Sequence, residues 1–489
     1  MSACSDYHAA SLDLIERCAP STGVVDVSAW EALGCPNLTS QAAASAIRPL
    51  SERHERRLTL EQRIASGNYA FASTPGGVES LEASHSVVDA LYLWGDLAKL
   101  GPRARAEWVA YFNQYQDRDT GYFLGPYVRE QGHPSWRDTK TITHPWDHMH
   151  DHLVTCLVPA IQALGGQTRF KLSDGNMTGR FLDRDYLRDF LIGRSWNGYQ
   201  GDLNFREHNP WYLGNEYWYP GCILWQIWQF EAGTPAAAQA RALLDEEWYA
   251  WHDANMSAWG LWYGDLAGDP QRLFRAPLGD ADIPSEGMPR NPAESTWHAN
   301  QVMGGAHQLW LYDFERHAIP DDKRAAQTNL LLAMQNHNDH HFGVGDPRAP
   351  SANSNDCTDV DCLTLLAYNF RRQNHRRADI AAACERAASA ILKNKIDSHG
   401  VLSARAGGAA WTHHSGSHET YSPAGAPNLH QQGFYLWALL AAVSVLDHSS
   451  DPAVQSFIDH PWPSMPTHGL WVPGRHQYQT REAATFLGA

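Results

Sequence analysis

"YFNQYQDRDTGYFLG" (residues 111–125) reads as a helix end, an acid-rich turn, and then a glycine followed by an apolar restart. Three other stretches have the same shape: "WYAWHDANMSAWGLWYG" (248–264), "LLAMQNHNDHHFGVG" (331–345) and "ILKNKIDSHGVLSA" (391–404). Gly or Asn just past the last helically spaced residue is where a helix stops, because the next residue takes a left-handed backbone. Each turn is followed by a loop and then by a strongly apolar helical stretch. Those apolar stretches fall at about 78–98, 145–163, 210–232, 293–315, 356–373 and 426–447, by their periodicity. More polar helices, with a single apolar stripe, are expected at about 103–116, 235–252, 321–336 and 376–394.

Buried and half-exposed helices in regular alternation are the sequence pattern of an α/α toroid. The expected fold is all-α: an (α/α)6 toroid over 76–450, with an N-terminal helical extension (1–75) and a C-terminal tail packed on it (451–489). The Pro/Gly/Asp-rich segments 264–292 and 403–425 read as long rim loops.

Composition narrows the function. A net charge of −16 speaks against nucleic acid or an anionic membrane surface as partner. No apolar run is long enough to span a bilayer. The N-terminus lacks a basic stretch followed by an apolar one, so a cytoplasmic protein is expected. Eight cysteines without a CxxC pair suit reduced, mostly buried thiols. The 20 Trp and 19 Tyr are unusually many; they suit a core, and also a cavity that stacks sugar rings or cradles a carbocation.

The helix order, the "DxxTGxF" turn, "HPWDHMHDHLV", "NPWYLGNEYW" and "DCTDVDCLTLL" resemble the α/α-toroid superfamily over roughly 80–450. That superfamily includes terpene cyclases, prenyltransferase β-subunits, linalool dehydratase-isomerase and glycan-active (α/α)6 enzymes. The resemblance implies a fold and leaves the reaction open.

In a toroid the stretches leading into the apolar helices converge: "ESLEASHSVVD" (79–89), "THPWDHMHDH" (143–152), "REHNPWYLGNEYW" (206–218), "ESTWHANQ" (294–301), "NDCTDVDC" (355–362) and the segment 415–437. They would line one cavity. The expected proton-transfer residues are Asp361 or Asp359 on one wall, with Glu216 or Asp147 opposite. The expected substrate contacts are His144, Trp146, His148, Asn209, Trp211, Asn215, Trp297, His298, Glu419 and Tyr421. His144, His148 and His152 share a helix face, but no closed ligand pattern appears, so neither a metal nor a cofactor is expected. The turns at 117–121 and 337–341 are expected on the rim opposite the cavity.

Polar groups are costly beside a hydrocarbon and useful around hydroxyls. The leading expectation is therefore a carbohydrate-active hydrolase, lyase or epimerase working on a small molecule or an oligosaccharide, with oligomerisation left open. The alternative is acid-initiated isoprenoid chemistry, a terpene cyclase or a terpenol dehydratase/isomerase. Here "DVDC" is similar to the acid motif of class II terpene cyclases, and Asp361 would be the proton donor. Cys156 and Cys222, near the expected cavity, are the link to linalool dehydratase-isomerase. Asp356 is expected to cap the helix that starts there.

Overall fold

The computed structural model describes residues 2–18, 24–25, 47–48, 59–72, 81–124, 146–192, 210–262, 292–342, 356–394, 429–460 and 462. Within these, the side chains of 24–25, 47–48, 146–149, 210–213, 215, 292–301, 356, 394, 430 and 431 lie outside the described set. In chain order the helices are α1 (Ala3–Arg17), α2 (Leu60–Ala65), α3 (Leu81–Trp94), α4 (Pro102–Asn113), α5 (Trp146–Ala163), α6 (Arg184–Leu191) and α7 (Pro210–Phe230). They continue with α8 (Pro235–Leu243), α9 (Ala250–Asn255), α10 (Pro292–Glu315), α11 (Asp321–Met334), α12 (Asp356–Arg372), α13 (Arg377–Asn394), α14 (Leu429–Val443) and α15 (Pro452–Ile458). Strand among the described residues is one antiparallel pair, Val24–Val25 with Ile47–Arg48. No helix among them is long and apolar enough to cross a membrane.

Two kinds of helix alternate. In α3 every residue except Asp89 is buried. In α4 only Trp108 and Phe112 are buried, and α8 buries the single stripe Ala237, Ala240 and Leu243. The former must be packed on several sides, while the latter turn one face to water. Contacts among the apolar helices run in a cycle: α3 packs on α5, α5 on α7, α7 on α10, α10 on α12, α12 on α14, and α14 back on α3. The more polar helices flank them, with α4 against α5, α8 against α7, α11 against α12 and α13 against α14. The first helix, α1, packs on α14 and α15.

Three consecutive members of the cycle run parallel. Gln308 of α10 donates to the Gly214 carbonyl near the start of α7, and Glu315 accepts from Trp225 near the end of α7. Met303 meets Thr358 at the start of α12, while the Asp313 carbonyl meets Arg372 at its end.

Local chemistry explains several helix features. Thr234 and Asp451 cap α8 and α15, each with Pro at the next position, where its missing N–H costs nothing. Pro159 inside α5 leaves the Thr155 carbonyl without its usual helical donor. Gln226 of α7 supplies one at 3.2 Å. Gly214 and Gly304 are where α7 and α10 cross: a Cβ on Gly214 would sit 2.2 Å from the Gly304 Cα. Only backbone against backbone fits there.

The repeated turn is a structural repeat. In the first copy, Asp117 N–H donates to the Tyr122 carbonyl, Asp117 Oδ1 accepts from Thr120 N–H, and Gln116 bridges Phe123. In the second, Asn336 N–H donates to the His341 carbonyl, Asn336 Oδ1 accepts from Asn338 N–H, and Gln335 bridges Phe342. The left-handed position is Gly121 (φ 80°) in one and His340 (φ 64°) in the other.

Two outcomes test this packing. Gly214→Ala should lower stability by about 1–3 kcal/mol or more, because two helix backbones must separate, read as a shift in urea midpoint. The second concerns His252, buried against Trp248 and Trp262, with Nδ1–H donating to the Trp248 carbonyl. Burial pulls its pKa down from 6.5 to about 3. The folded value lies below the unfolded one, so this stability is complete above about pH 6.5. It is lost as pH falls toward 3, by about 1.4 kcal/mol per unit. Stability of His252→Gln should therefore fall less steeply than wild type on acidification. Equal slopes would show that His252 does not drive the acid sensitivity.

Candidate functional site

On α12, Asp359 is fully buried and both of its oxygens are engaged. Oδ2 lies 2.9 Å from His341 Nδ1, and Oδ1 accepts the Phe342 N–H at 2.7 Å. Both partners belong to the second repeated turn. On α5, Asp151 does the equivalent work. Its Oδ1 accepts from the Tyr122 hydroxyl of the first turn at 3.1 Å, and Arg180 bonds both oxygens. These carboxylates latch turns to the cycle.

This corrects two sequence expectations. The repeated turns do not lie on the rim opposite the starts of the inner helices; they pack on them. A turn that ends an outer helix lies where the chain must begin the next inner one, so both share an end. Asp359, expected to satisfy its own helix's N–H groups or to move a proton, instead accepts from the neighbouring turn. The helix begins at Asp356 itself, whose side chain lies outside the described residues.

Asp361 is two residues further on, buried at 1 % exposure. Two residues are about 200° around a helix. With Asp359 committed to the outer turn, Asp361 is directed toward the opposite side of α12, away from that turn. Val360, Leu363 and Ala367 are buried as the spacing predicts.

A dense group of ionisable side chains among the described residues spans α3, α5 and α7, and all its members are buried except Asp89, which is half-buried. Glu82 stands between two histidines: Oε1 is 3.3 Å from His152 Nε2 and Oε2 is 3.2 Å from His85 Nε2. His85 Nδ1 is 3.0 Å from Asp89 Oδ2. One helical turn beyond His152, Cys156 Sγ lies 3.6 Å from the same Nε2. Tyr219 and Cys222 of α7 feel these charges, Tyr219 that of Glu216 as well.

The electrostatics follow from that geometry. Burial alone would strip the proton from His152, but Cys156 and Glu82 outweigh it and raise the ring to about 10. His85 is likewise held well above its ordinary value against burial, by Glu82, Cys156 and its bond to Asp89. Burial would push the Cys156 thiol up, yet the two imidazoles bring it below its usual range. Cys222 and Cys362 are as deeply buried without such cations, and both are raised. Among described residues no group of three or more His, Cys, Asp or Glu has the geometry to hold a metal.

Of the expected site residues, Asp361, Asp359 and Glu216 are described with their side chains, and all three are buried. Trp146, Asp147 and His148 lie in the first turn of α5, Trp211 and Asn215 in α7, and Trp297 and His298 in α10, with side chains outside the described set. His144, Asn209, Glu419 and Tyr421 lie outside the described residues altogether. Sequence reading placed Glu82, His85 and Asp151 within cavity-lining stretches (79–89 and 143–152) without assigning them a site role, and missed Arg180 and Tyr219. The only local signal was the i, i+3 and i, i+4 spacing of Glu82, His85 and Asp89, and of His152 and Cys156.

Asp359→Ala should cost about 3–5 kcal/mol of stability, as removing one partner of a buried pair does. Urea denaturation measures it, and a loss below about 1 kcal/mol would mean the latch is dispensable. Comparison with known proteins finds no matching family model, no similar curated protein and no similar solved structure.

Proposed function

We propose that the cycle of six helices with its flanking helices is an (α/α)6 toroid, and that the chain is an enzyme. Its substrate in this reading is a polyhydroxylated, carbohydrate-like small molecule or oligosaccharide, transformed by acid–base chemistry. One observation carries the proposal: buried ionisable groups occur on two opposed members of the cycle, His152 with Glu82 and His85 beside it on one side and Asp361 on the other. In a cycle of six, α5 and α12 are three steps apart in either direction. The imidazole–carboxylate cluster of α3 and α5 would then face Asp361 across the interior. Glu216 adds a third carboxylate on α7. Charged groups held away from water contribute little net stability, and their retention points to chemistry.

A group on one wall that gives a proton, and one opposite that accepts it, are what hydrolysis, elimination and epimerisation share. The choice among these reactions rests on the bond that breaks. Carboxylates, imidazoles and the amides of Gln308 and Gln432, all buried, are better matched to hydroxyls than to hydrocarbon.

One observation favours the isoprenoid alternative. Trp310 of α10 and Trp437 of α14 approach to 4.8 Å across two steps of the cycle, beside Trp218 and His307. An aromatic floor of that kind stabilises carbocations. Asp361 would then be the proton donor.

The readings separate by assay. Wild type and Asp361→Asn are incubated with a panel of oligosaccharides and with prenyl diphosphates, and products are weighed by mass spectrometry. Turnover of an oligosaccharide is expected, falling by about 10²-fold or more in Asp361→Asn with the urea midpoint retained. Turnover of prenyl diphosphates alone would reverse the choice of substrate, and a fully active Asp361→Asn would remove Asp361 from the chemistry.

A further inference from the structure

Inner helices of this fold bury several cysteines, and most sit as small apolar side chains do. Cys362 on α12 and Cys384 on α13 are fully buried, and burial holds both thiols protonated. Cys156 is equally buried, yet its surroundings are ionic. His152 Nε2 lies 3.6 Å from its sulfur and 3.3 Å from Glu82 Oε1. His85 approaches the same sulfur, backed on its own side by Asp89 and Glu82. Two carboxylate–imidazole pairs converge on one thiol. A packing role requires none of them, and an apolar residue would fill the same volume without four buried charges to neutralise.

We propose that Cys156 is a nucleophile, its sulfur attacking an electrophilic carbon of the substrate to form a transient carbon–sulfur bond; this rests on the reading of the site as catalytic. For a glycoside, the S–C bond forms at the anomeric carbon as the C–O bond to the leaving group breaks. The leaving oxygen takes a proton from the acid on the opposite wall. In the second step water adds to the same carbon, its proton passes to that carboxylate, and the electron pair of the C–S bond returns to sulfur. Atoms and charge balance with water as the only co-reactant. The two imidazoles favour the anionic form of the sulfur and receive it as the leaving group, the pairing that activates thiols generally.

The thiol faces Glu82, His85 and Asp89 from α3, and Tyr219, Cys222 and Glu216 from the α7 side. On its own helix it faces His152, one turn earlier. A titration therefore reads the group as a whole. Two readouts are made on the full chain: the ultraviolet absorbance of thiolate against pH, and the site of alkylation by iodoacetamide, located by peptide mass. Below the pH range in which a free thiol ionises, wild type should show a thiolate signal and an adduct at Cys156, in line with the lowered thiol. Both should vanish in Cys156→Ser and persist in Cys384→Ser. His152→Gln should slow alkylation there by about tenfold or more. No thiolate there, or a thiolate that forms no adduct, overturns the proposal. Neither readout involves a sugar: a reactive Cys156 in a protein that turns over no oligosaccharide upholds the nucleophile and removes only the substrate class.

Discussion

A fully buried aspartate at the start of an apolar helix has to be held by donors, and in this protein the donors come from the turn of a different helix. Asp359 takes the Phe342 N–H and His341; Asp151 takes the Tyr122 hydroxyl and Arg180. Each bond crosses from the outer layer to the cycle of inner helices. Apolar packing brings the two layers together but does not fix how far one slides along the other, because it is non-directional. A charged oxygen out of water tolerates little displacement of its donors. The latches therefore set the register of the layers, and everything placed on the inner helices inherits its height from them.

That register determines which groups meet inside. Glu82 is at the second position of α3, His152 is in the second turn of α5, and seventy residues of chain separate them. They come within bonding distance only because α5 is fixed by Asp151 immediately before His152. A slide of one helical turn, about 5.4 Å, would leave Glu82, His85 and His152 as separate buried charges, each several kcal/mol less favourable. The latch and the ionic cluster are adjacent residues with different partners, and the first makes the second affordable.

The sequence made the helices legible because burial writes itself into periodicity. The six apolar stretches and three of the four more polar ones lie within a few residues of the observed bounds. The fourth (235–252) spans α8, a π-helical stretch (Leu244–Tyr249) and the start of α9. The repeated turn was visible as a motif before its hydrogen bonds were known. Asp359 and Asp361 were equally acidic letters, and the helix angle separated them only once one had an observed partner. The Glu82–His152 contact was illegible, since no local pattern says which residues of two distant helices share a level. His152 was read instead with His144 and His148, its neighbours along one helix face, when its chemistry belongs to the facing helix. The rim assignment of the turns failed for a topological reason: consecutive helices alternate direction, so the end of one is the beginning of the next.

The same spacing rule separates the latching position from the others on α5 and α12. On α12 the latch is Asp359, and the ionisable group 200° away is Asp361. On α5 the latch is Asp151, with His152 about 100° and Cys156 about 140° around the axis from it. In each case one residue is held by a neighbouring turn, and the other is rotated off it. On α5 the rotated groups act on one another: the imidazoles of His152 and His85 draw the Cys156 thiol below its usual range, and Glu82 stands between the two rings. Burial alone would push that thiol the other way, so the placement of the two rings, set by how α3 packs on α5, decides the direction.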